Sequence, residues 1–294
     1  MNRRTFLGQL SAAGVLAATR VGAAERMMAK QIDKIGVQLY TARDEMAKDV
    51  EATLATVAGI GYKEIEFAGY FDKTPQAIRQ MLDRHGLTSP STHIDLATIS
   101  TKLPQTLEAS HIIGHRYIVM PYLDDATRAQ PDIYKKVADT LNRAGAEAKK
   151  ANIEIAYHNH NFEFVAVDGK THFESLMEML DPKLVKVELD LCWATSANQD
   201  PVALFRKYPG RFPMVHVKGL RKKPANGAAT PIAEVLPDVT DVGHDGDVID
   251  WKTIFAASSV GGVQHYFVEH DQPKNHDPFA SLKASYGYLK DLRF

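Results

Sequence analysis

The segment Tyr157-His158-Asn159-His160-Asn161-Phe162-Glu163 decides the fold, because a polar cluster here directly follows the mostly apolar run 153–156. Three later segments repeat the arrangement: Glu188-Leu189-Asp190, His216-Val217-Lys218 and Glu269-His270-Asp271. Strands that are buried on both faces of a parallel sheet usually read as unbroken apolar runs. Polar residues at the carboxyl ends of several such strands predict chemistry gathered at one end of a parallel barrel.

The composition fits one large α/β domain. The chain has 294 residues, 45% of them hydrophobic, with 35 basic and 36 acidic side chains. A (β/α)8 barrel typically needs ~250 residues. The near-zero net charge gives no reason to expect nucleic acid or an anionic membrane as a partner. Cys192 is the single cysteine, which excludes an internal disulfide, and its apolar neighbours predict a buried thiol.

Residues 1–24 read as an export signal rather than as part of the fold. Asn2-Arg3-Arg4-Thr5-Phe6-Leu7 matches a twin-arginine signature, a small and apolar stretch follows, and Val21-Gly22-Ala23 offers a cleavage site. The apolar stretch is too short to span a bilayer as a stable anchor. We therefore expect residues 25–33 to be a linker. We also expect the mature protein to be periplasmic and not inserted in a membrane.

Strand and helix signals alternate from Lys34 to the end of the chain. The predicted strands are 34–40, 64–68, 91–95, 116–120 and the four apolar runs that carry the polar clusters. Predicted helices separate them, such as 49–60 and 103–113, each closed by a glycine. Eight strand–helix pairs predict a single (β/α)8 TIM barrel over residues 34–294. The longest irregular stretch, 221–250, is predicted to be a lid over the site.

The polar residues at the strand ends fall on one face of each strand. Side chains alternate between the two faces of a strand, so residues two apart share a face. The pairs related in this way are Glu188 with Asp190, His216 with Lys218, His158 with His160, and Glu269 with Asp271. The residues between the first two pairs, Leu189 and Val217, are apolar, so we expect the polar set to face the barrel interior. A buried charge is costly unless it is paired or bound to a metal. The pattern therefore predicts a divalent-metal site.

Five motifs, in order along the chain, resemble the sugar phosphate isomerase/epimerase family with its xylose isomerase-like barrel. They are Gly36-Val-Gln-Leu-Tyr-Thr-Ala-Arg43, Tyr157-His-Asn-His-Asn-Phe-Glu-Phe164, Glu188-Leu-Asp-Leu-Cys-Trp193, Val215-His-Val-Lys218 and Phe267-Val-Glu-His-Asp271. The resemblance implies a (β/α)8 barrel that holds one divalent cation with Glu, Asp, His and Glu. Asp190, His216 and Glu269 fall on three of those positions. The implied metal is Mn²⁺, with Co²⁺, Mg²⁺ or Zn²⁺ as alternatives.

The fourth ligand and two nearby positions depart from the family pattern. Relatives often carry a Glu at the end of the fifth strand, where simple spacing places His158. Glu163 is the predicted ligand, because its carboxylate could reach back from the following loop; His158 and His160 are the alternatives. An Asp often follows the Lys of the seventh strand, but Gly219 stands here, and the loop 242–247 adds His244. These differences bear on the substrate more than on the metal.

Other polar and aromatic residues at the strand ends are candidates for the chemistry itself. The candidate catalytic groups are His158, His160, Lys218 and His270. The candidate substrate contacts are Tyr40, Glu66, His93, Trp193 and His244. A structural role is the alternative for each of them, and Lys218 has Glu188 as a candidate ion partner. His111, His115 and His172 lie near predicted helix ends and are predicted to be solvated.

A site of this kind suits removal of a proton next to a carbonyl group. The cation would polarise the carbonyl of a keto-sugar, and a base among Glu163, His158 and His160 would take the α-proton. Lys218 and the cation would stabilise the resulting enediolate. We therefore predict a periplasmic, metal-dependent sugar isomerase or epimerase with a small carbohydrate as its substrate.

Two other functions would use the same residues. Loss of a β-substituent from the enediolate would make the protein a 3-keto-glycoside lyase or hydrolase, acting after a separate sugar oxidoreductase. His270 or His244 would then protonate the leaving group. The third hypothesis is a sugar-binding barrel without catalysis. The sequence gives no indication of the oligomeric state.

Overall fold

Eight parallel strands close into a barrel in the computed structural model of the protein, which describes residues 30–244, 246–273 and 277–294. The strands are β1 Ile35–Gln38, β2 Glu64–Phe67, β3 Thr88–His93, β4 Tyr117–Met120, β5 Glu154–His158, β6 Val185–Asp190, β7 Met214–Val217 and β8 His265–Val268. Each strand pairs in parallel with its neighbours in chain order, and β8 pairs with β1 to close the ring. The predicted (β/α)8 architecture is confirmed.

Helices follow the strands around the outside of the barrel. Their bounds are Arg43–Lys48, Val50–Ile60, Pro75–His85, Leu96–Thr101, Leu103–Ile113, Asp125–Arg128, Ile133–Ala148, His172–Met179, Leu191–Ser196, Pro201–Lys207, Ile232–Val235, Trp251–Gly261 and Pro278–Asp291. Short 3-10 turns occupy Leu39–Ala42, Lys149–Ala151, Phe162–Phe164, Gly227–Ala229 and Leu236–Asp238. Local sequence sets several helix starts, since Asp49 and Thr74 each accept a hydrogen bond from a backbone N–H of the first turn.

A small apolar cluster fills the barrel beneath the polar residues. It consists of Tyr117, Val119, Ala156, Met214 and Phe267. Side-chain alternation puts Ala156, Met214 and Phe267 on the same faces as His158, His216 and Glu269, two residues further along. The intervening Val215, Val217 and Val268 pack in the larger core between the barrel and the helices. The polar residues therefore point inward, as the alternation predicts.

The segment 221–250 is more ordered than its sequence suggests. Its strand Val239–Thr240 pairs in antiparallel fashion with Gly219–Leu220. The carboxylate of Asp247 accepts hydrogen bonds from the backbone N–H groups of Leu220 and Gly243 and from the indole N–H of Trp251. The pairing also accounts for Gly219, because a Cβ at that position would lie 2.8 Å from the carbonyl oxygen of Asp241. An aspartate does not fit there without a shift of the backbone.

The first described residues pack on the barrel rather than forming a free linker. Lys30 and Phe294 exchange two backbone hydrogen bonds, of 2.7 and 3.0 Å. Ile32 is buried in the outer core. The expected linker 25–33 is therefore part of the packed domain from Lys30 onward, and the expected signal 1–24 lies outside the described residues. Among the helices that the structure describes, none has the length and apolarity needed to cross a membrane.

Candidate active site

Three of the predicted metal ligands meet at the carboxyl ends of β6, β7 and β8. One ligand atom each from Asp190, His216 and Glu269 lies within 4.8 Å of the others, and all three residues are buried. His216 Nδ1 lies 3.0 Å from Glu269 Oε2 and 3.8 Å from Asp190 Oδ2. The strand register explains the convergence, because Asp190 and His216 are paired residues of adjacent parallel strands.

Lys218 is a buried cation beside this group. Its Nζ lies 2.5 Å from Glu269 Oε2, 3.0 Å from Asp190 Oδ2 and 3.1 Å from Asp271 Oδ2. Burial opposes ionisation of Glu269, but Lys218 and His216 outweigh it and hold the pKa of that carboxyl well below its usual range. Glu188, the candidate partner named from the sequence, is not among the carboxylates within 4.0 Å of the Lys218 ammonium group.

Glu188 instead contacts three imidazole rings. Its Oε2 lies 2.9 Å from His93 Nε2, 3.0 Å from His158 Nδ1 and 3.2 Å from His216 Nε2. Ligand atoms of these four residues lie within 4.8 Å of one another. His216 therefore belongs to two groups, with Nδ1 toward Glu269 and Nε2 toward Glu188. The sequence identified Glu188 as an inward-facing carboxylate and as a candidate partner of Lys218. The β5–β6 register, which pairs His158 with Glu188, places it beside the imidazoles instead.

Glu66 is part of the same buried network rather than a free substrate contact. Its carboxylate accepts a 2.8 Å hydrogen bond from Gln38 Nε2 and another from the Ser91 hydroxyl. Its Oε2 also lies 2.7 Å from His216 Nε2 and 3.1 Å from His93 Nε2. These contacts occupy both oxygens, and Glu66 does not line the cavity described below. The expectation that it binds sugar hydroxyls is therefore not supported by its position.

The shifted pKa values of Glu188 and His93 show how strongly the members of this network interact. Burial and the neighbouring Glu66 raise the pKa of Glu188 to about 7. Burial opposes protonation of His93, but Glu66 and Glu188 outweigh it and raise its pKa to about 9. Without a bound cation, protons therefore remain shared between the carboxylates and the imidazoles of the cluster.

The residues present fit a divalent cation. Two of the fully buried carboxylate oxygens, Glu188 Oε1 and Asp190 Oδ2, have no hydrogen bond of good geometry among the described residues. Lys218 lies 3.0 Å from the second of these oxygens, so that contact is ionic but poorly aligned. Carboxylates and imidazoles are ligands shared by Mn²⁺, Co²⁺ and Zn²⁺ sites. The donor set and its unsatisfied oxygens could therefore hold a metal ion.

Glu163, the predicted fourth ligand, does not join either group. Its carboxylate accepts hydrogen bonds from the Tyr157 hydroxyl at 2.5 Å and from the backbone N–H of His160 at 2.7 Å. Tyr157 packs in the outer core, so these bonds hold Glu163 behind β5. Burial raises the pKa of Glu163 to about 8. The prediction is corrected: His158 is the residue of β5 that enters the cluster, and Glu163 positions the loop that carries His160.

A cavity of about 510 Å³ opens above the cluster. Its walls include Tyr40, His93, His158, His160, Trp193 and Glu269, together with Arg43, Tyr122, Ile232, Leu236 and Asp271. The first six were predicted from sequence. Arg43 was also a candidate wall residue, whereas Tyr122 was not assigned a role, although it follows the carboxyl end of β4. Ile232 and Leu236 come from the segment 221–250, which therefore supplies one wall of the cavity, as the expected lid would.

Two buried donors or acceptors in the cavity wall are unpaired. His160 Nδ1 and Trp193 Nε1 have no hydrogen-bond partner within the described part of the chain. The His160 ring packs edge-on against Tyr122, with centroids 5.0 Å apart, and 5.4 Å from Trp193. Burial, followed by the charge of Lys218, holds the pKa of His160 well below its usual range. A neutral imidazole therefore lines the cavity, with its Nδ1 buried and unpaired.

His270 and His244 lie outside the cavity. The His270 backbone N–H donates to Thr41 Oγ1, and its ring Nε2 lies 3.8 Å from Asp241, because it alternates with the inward-facing Glu269. His244 is exposed, with Nε2 3.2 Å from the carbonyl oxygen of Ala284. Their predicted roles as proton donor and substrate contact are not supported by these positions.

The prediction that His115 is solvated is wrong. It is 4% exposed rather than solvated, with Nδ1 2.8 Å from the carbonyl oxygen of Ser89 and Nε2 2.9 Å from the Tyr70 hydroxyl. Burial lowers its pKa to about 4.

The predicted burial of Cys192 is confirmed.

Comparison with known proteins agrees with the barrel. Residues 54–291 match a family model described as xylose isomerase-like TIM barrel. The inosose dehydratase of Lacticaseibacillus casei is 27% identical over 270 residues, which cover 82% of this chain and 89% of that protein. The inosose dehydratase of Geobacillus thermodenitrificans is 25% identical over 267 residues, with the same coverage of 82% and 89%. The crystal structure of a sugar phosphate isomerase/epimerase from Parabacteroides distasonis has a TM-score of 0.74 and 26% identity, and the match covers 90% of this chain and 95% of that one.

Proposed function

This chain belongs to the xylose isomerase-like TIM barrel family, and from that premise we propose that it is a divalent-metal-dependent enzyme that removes a proton next to the carbonyl group of a keto-sugar. One observation carries the proposal. Asp190, His216 and Glu269 converge beside a cavity that Glu269 and the partly exposed ring of His160 both line. The relatives described above are named as enzymes, which favours catalysis over a sugar-binding barrel.

Asp190, His216 and Glu269 would hold the cation at the cavity floor. Two carboxylates and one imidazole are an oxygen-rich set, so we favour Mn²⁺, with Co²⁺, Mg²⁺ or Zn²⁺ as alternatives. When bound, such a cation supplies Lewis-acid polarisation of the sugar carbonyl. Three protein ligands leave coordination positions open, as is usual for catalytic metal sites.

His160 is the proposed base. Its pKa is lowered by burial and by Lys218, so the ring is neutral near pH 7 and one of its two nitrogens can accept a proton. Tyr122 and Trp193 hold the ring from two sides, and Glu163 fixes its backbone N–H. A positioned base of this kind contributes ~10²–10⁴-fold to the rate. His158 is less suited to the role, because its Nδ1 is engaged by Glu188.

Lys218 supplies positive charge from below the cavity floor. Burial opposes its protonation, but Asp190, Asp271 and Glu269 outweigh this and raise its pKa well above the usual value. It therefore stays charged while negative charge develops on the oxygens of the enediolate. Since only 1% of Lys218 is exposed, it acts through its field rather than by direct contact with substrate.

Isomerisation is the reaction that the single proposed base in the cavity wall, His160, supports most directly. A single base can take a proton from one carbon and return it to the adjacent carbon of the enediolate. Epimerisation needs a proton donor on the opposite face of the same carbon. His93 lines the cavity, but its Nε2 is already within hydrogen-bonding distance of Glu66 and Glu188.

Elimination is the second candidate, and the relatives named dehydratase favour it. The same α-proton removal would then be followed by loss of a hydroxyl or glycosidic oxygen from the next carbon. His160, protonated in the first step, would give its proton to the leaving oxygen. The volume of about 510 Å³ falls in the ~300–1,000 Å³ range of small-molecule sites. That volume would accommodate an aglycone, so a 3-keto-glycoside is the proposed substrate for elimination of a glycosidic oxygen.

We also propose that the protein works in the periplasm on a ketone supplied by another enzyme. The twin-arginine motif of residues 1–24 supports the location. The carbonyl group requires prior oxidation of a sugar hydroxyl by an oxidoreductase. Cell fractionation of the wild type and of an R3K/R4K variant tests the location, since the variant should stay in the cytoplasm.

The reaction is tested by incubating Mn²⁺-loaded protein with a panel of keto-sugars and 3-keto-glucosides and following the products by NMR. An isomeric keto-sugar supports isomerisation, whereas loss of water or release of an aglycone supports elimination. Glu269→Gln should abolish turnover while the protein stays folded. His244→Gln is the matched control, because His244 lies outside the cavity, and should retain wild-type turnover. Equal turnover in Glu269→Gln and wild type would refute the assignment.

A further inference from the structure

The two ring nitrogens of His216 face different sets of ligands. Nδ1 lies 3.0 Å from Glu269 Oε2, whereas Nε2 lies 3.2 Å from Glu188 Oε2. The two nitrogens point in different directions in the ring plane, so one ion cannot be bound by both. If both positions are filled at once, His216 bridges the two ions as an imidazolate, and its ring N–H proton is released to solvent. The group on the Nε2 side is therefore a separate place from the proposed catalytic cation position.

The donors on the Nε2 side have the spacing of a metal site. The distances from Glu188 Oε2 to His93 Nε2, His158 Nδ1 and His216 Nε2 are 2.9, 3.0 and 3.2 Å. Metal–ligand bonds of ~2.0–2.1 Å in a tetrahedral zinc site put neighbouring donors ~3.3 Å apart. The three distances from Glu188 Oε2 are slightly shorter than that spacing.

Hydrogen bonding does not satisfy this group by itself. Three imidazoles converge on one oxygen of Glu188, while its other oxygen, Oε1, is fully buried and has no partner among the residues that the structure describes. A network built only from hydrogen bonds would be expected to distribute its donors over both oxygens. Leaving a buried carboxylate oxygen unpaired is costly, and a bound cation would remove that cost.

Glu66 provides a further donor at the edge of the group. Its Oε2 lies 3.1 Å from His93 Nε2 and 2.7 Å from His216 Nε2, and Gln38 and Ser91 hold its carboxylate in place. Carboxylates and amides that fix the orientation of ligands are typical of metal sites.

We propose that His93, His158, Glu188 and Nε2 of His216 form a second cation site, distinct from the position at Asp190 and Glu269. Three imidazoles and one carboxylate favour Zn²⁺ or a similar borderline metal, whereas the oxygen-rich position favours Mn²⁺. All four donors come from the protein, as in a structural zinc site; His158, Glu188 and His216 are buried, and His93 is partly exposed at the cavity wall. This inference goes beyond the proposed function and does not depend on it.

Metal stoichiometry tests the proposal. The full-length mature protein is stripped with a chelator, reloaded with Zn²⁺ and Mn²⁺ together, desalted and analysed by mass spectrometry for both metals. Three proteins are compared: wild type, His93→Gln and Asp190→Asn. His216 is left intact because it touches both positions. Circular dichroism and thermal unfolding confirm that each variant is folded, and His93→Gln is preferred to a Glu188 variant because its side chain lies at the cavity wall.

The proposal predicts two equivalents of metal in the wild type. His93→Gln should lose one equivalent, mainly Zn²⁺, and Asp190→Asn should lose the other. A single equivalent that disappears in His93→Gln but not in Asp190→Asn would still support this site, while removing the ligand set of the proposed function. A single equivalent that disappears only in Asp190→Asn would overturn the second site and leave the proposed function intact. No bound metal in any protein would overturn both.

Discussion

Lys218 Nζ lies 2.5 Å from Glu269 Oε2 in a region where both side chains are almost completely buried. The ammonium group thus provides a fixed counter-charge for a carboxylate at the cavity floor. The same nitrogen also contacts Asp190 and Asp271. A local excess of negative charge remains around these residues, and this excess is what a divalent cation would neutralise.

Lys218→Met should destabilise the metal-free protein by ~3–5 kcal/mol, because it leaves buried carboxylates without their partner. Added Mn²⁺ should recover part of the loss by binding to the same carboxylates. Lys207→Met is the control: Lys207 pairs with Glu174 at the surface, where both side chains are 32–52% exposed, so its loss should cost only ~0–1 kcal/mol. Thermal unfolding of both variants with and without Mn²⁺ measures the difference, and equal losses would argue against a buried charge centre.

His160→Gln should lower kcat by ~10²–10⁴-fold with little change in KM, because the proposed base is lost while the cavity keeps its shape. His270→Gln should stay close to wild type, since His270 points away from the cavity toward Asp241. Steady-state kinetics on an accepted keto-sugar compares the two variants. A larger effect from His270→Gln would mean that the wrong histidine has been assigned.

Glu163→Gln should keep its full metal content. The carboxylate of Glu163 is bonded to Tyr157 and to the backbone of His160, so it has no part in holding an ion. Asp190→Asn should lose metal under the same conditions. Metal analysis of the two purified variants gives the answer; depletion in Glu163→Gln would restore the ligand role that the sequence suggested.

His115 should make stability depend on pH below neutrality. The pKa of His115 is about 4 in the folded protein because the ring is buried, whereas an unfolded histidine has a pKa of about 6.5. Below pH ~6.5 the unfolded chain therefore takes up a proton that the folded protein does not, and stability falls until about pH 4 by a total of ~3 kcal/mol. Above pH ~6.5 this contribution is constant.

Urea unfolding of wild type and His115→Gln at pH 7 and pH 4 isolates this effect. The wild type should lose ~3 kcal/mol more than the variant between the two pH values, because only the wild type carries the titrating ring. Parallel pH dependence of the two proteins would show that His115 does not titrate as its burial implies.

Much of the barrel and of the cavity floor could be predicted because strand geometry follows strict rules. Side chains alternate with a period of two, and parallel strands end at the same edge. Asp190, His216, Lys218 and Glu269 therefore had to meet once the eight strands were assigned. The same alternation excludes His270 from the cavity, so that correction was already implied by the sequence.

The remaining corrections depend on contacts that no local pattern encodes. Glu163 lies behind β5 because a 3-10 turn brings it back to Tyr157. Strand register decides which carboxylate each basic side chain contacts. It pairs Glu188 with His158, so Lys218 contacts other carboxylates, such as Glu269. His115 is buried because Tyr70, which is 45 residues away in the chain, packs over it.

The most direct test of the account is deuterium exchange at the carbon next to the carbonyl of an accepted keto-sugar, followed by NMR in D₂O. Mn²⁺-loaded wild type should exchange that hydrogen, chelator-treated protein should not, and added Mn²⁺ should restore the exchange. Exchange that continues unchanged after complete removal of metal would contradict a metal-dependent proton abstraction at Asp190, His216 and Glu269.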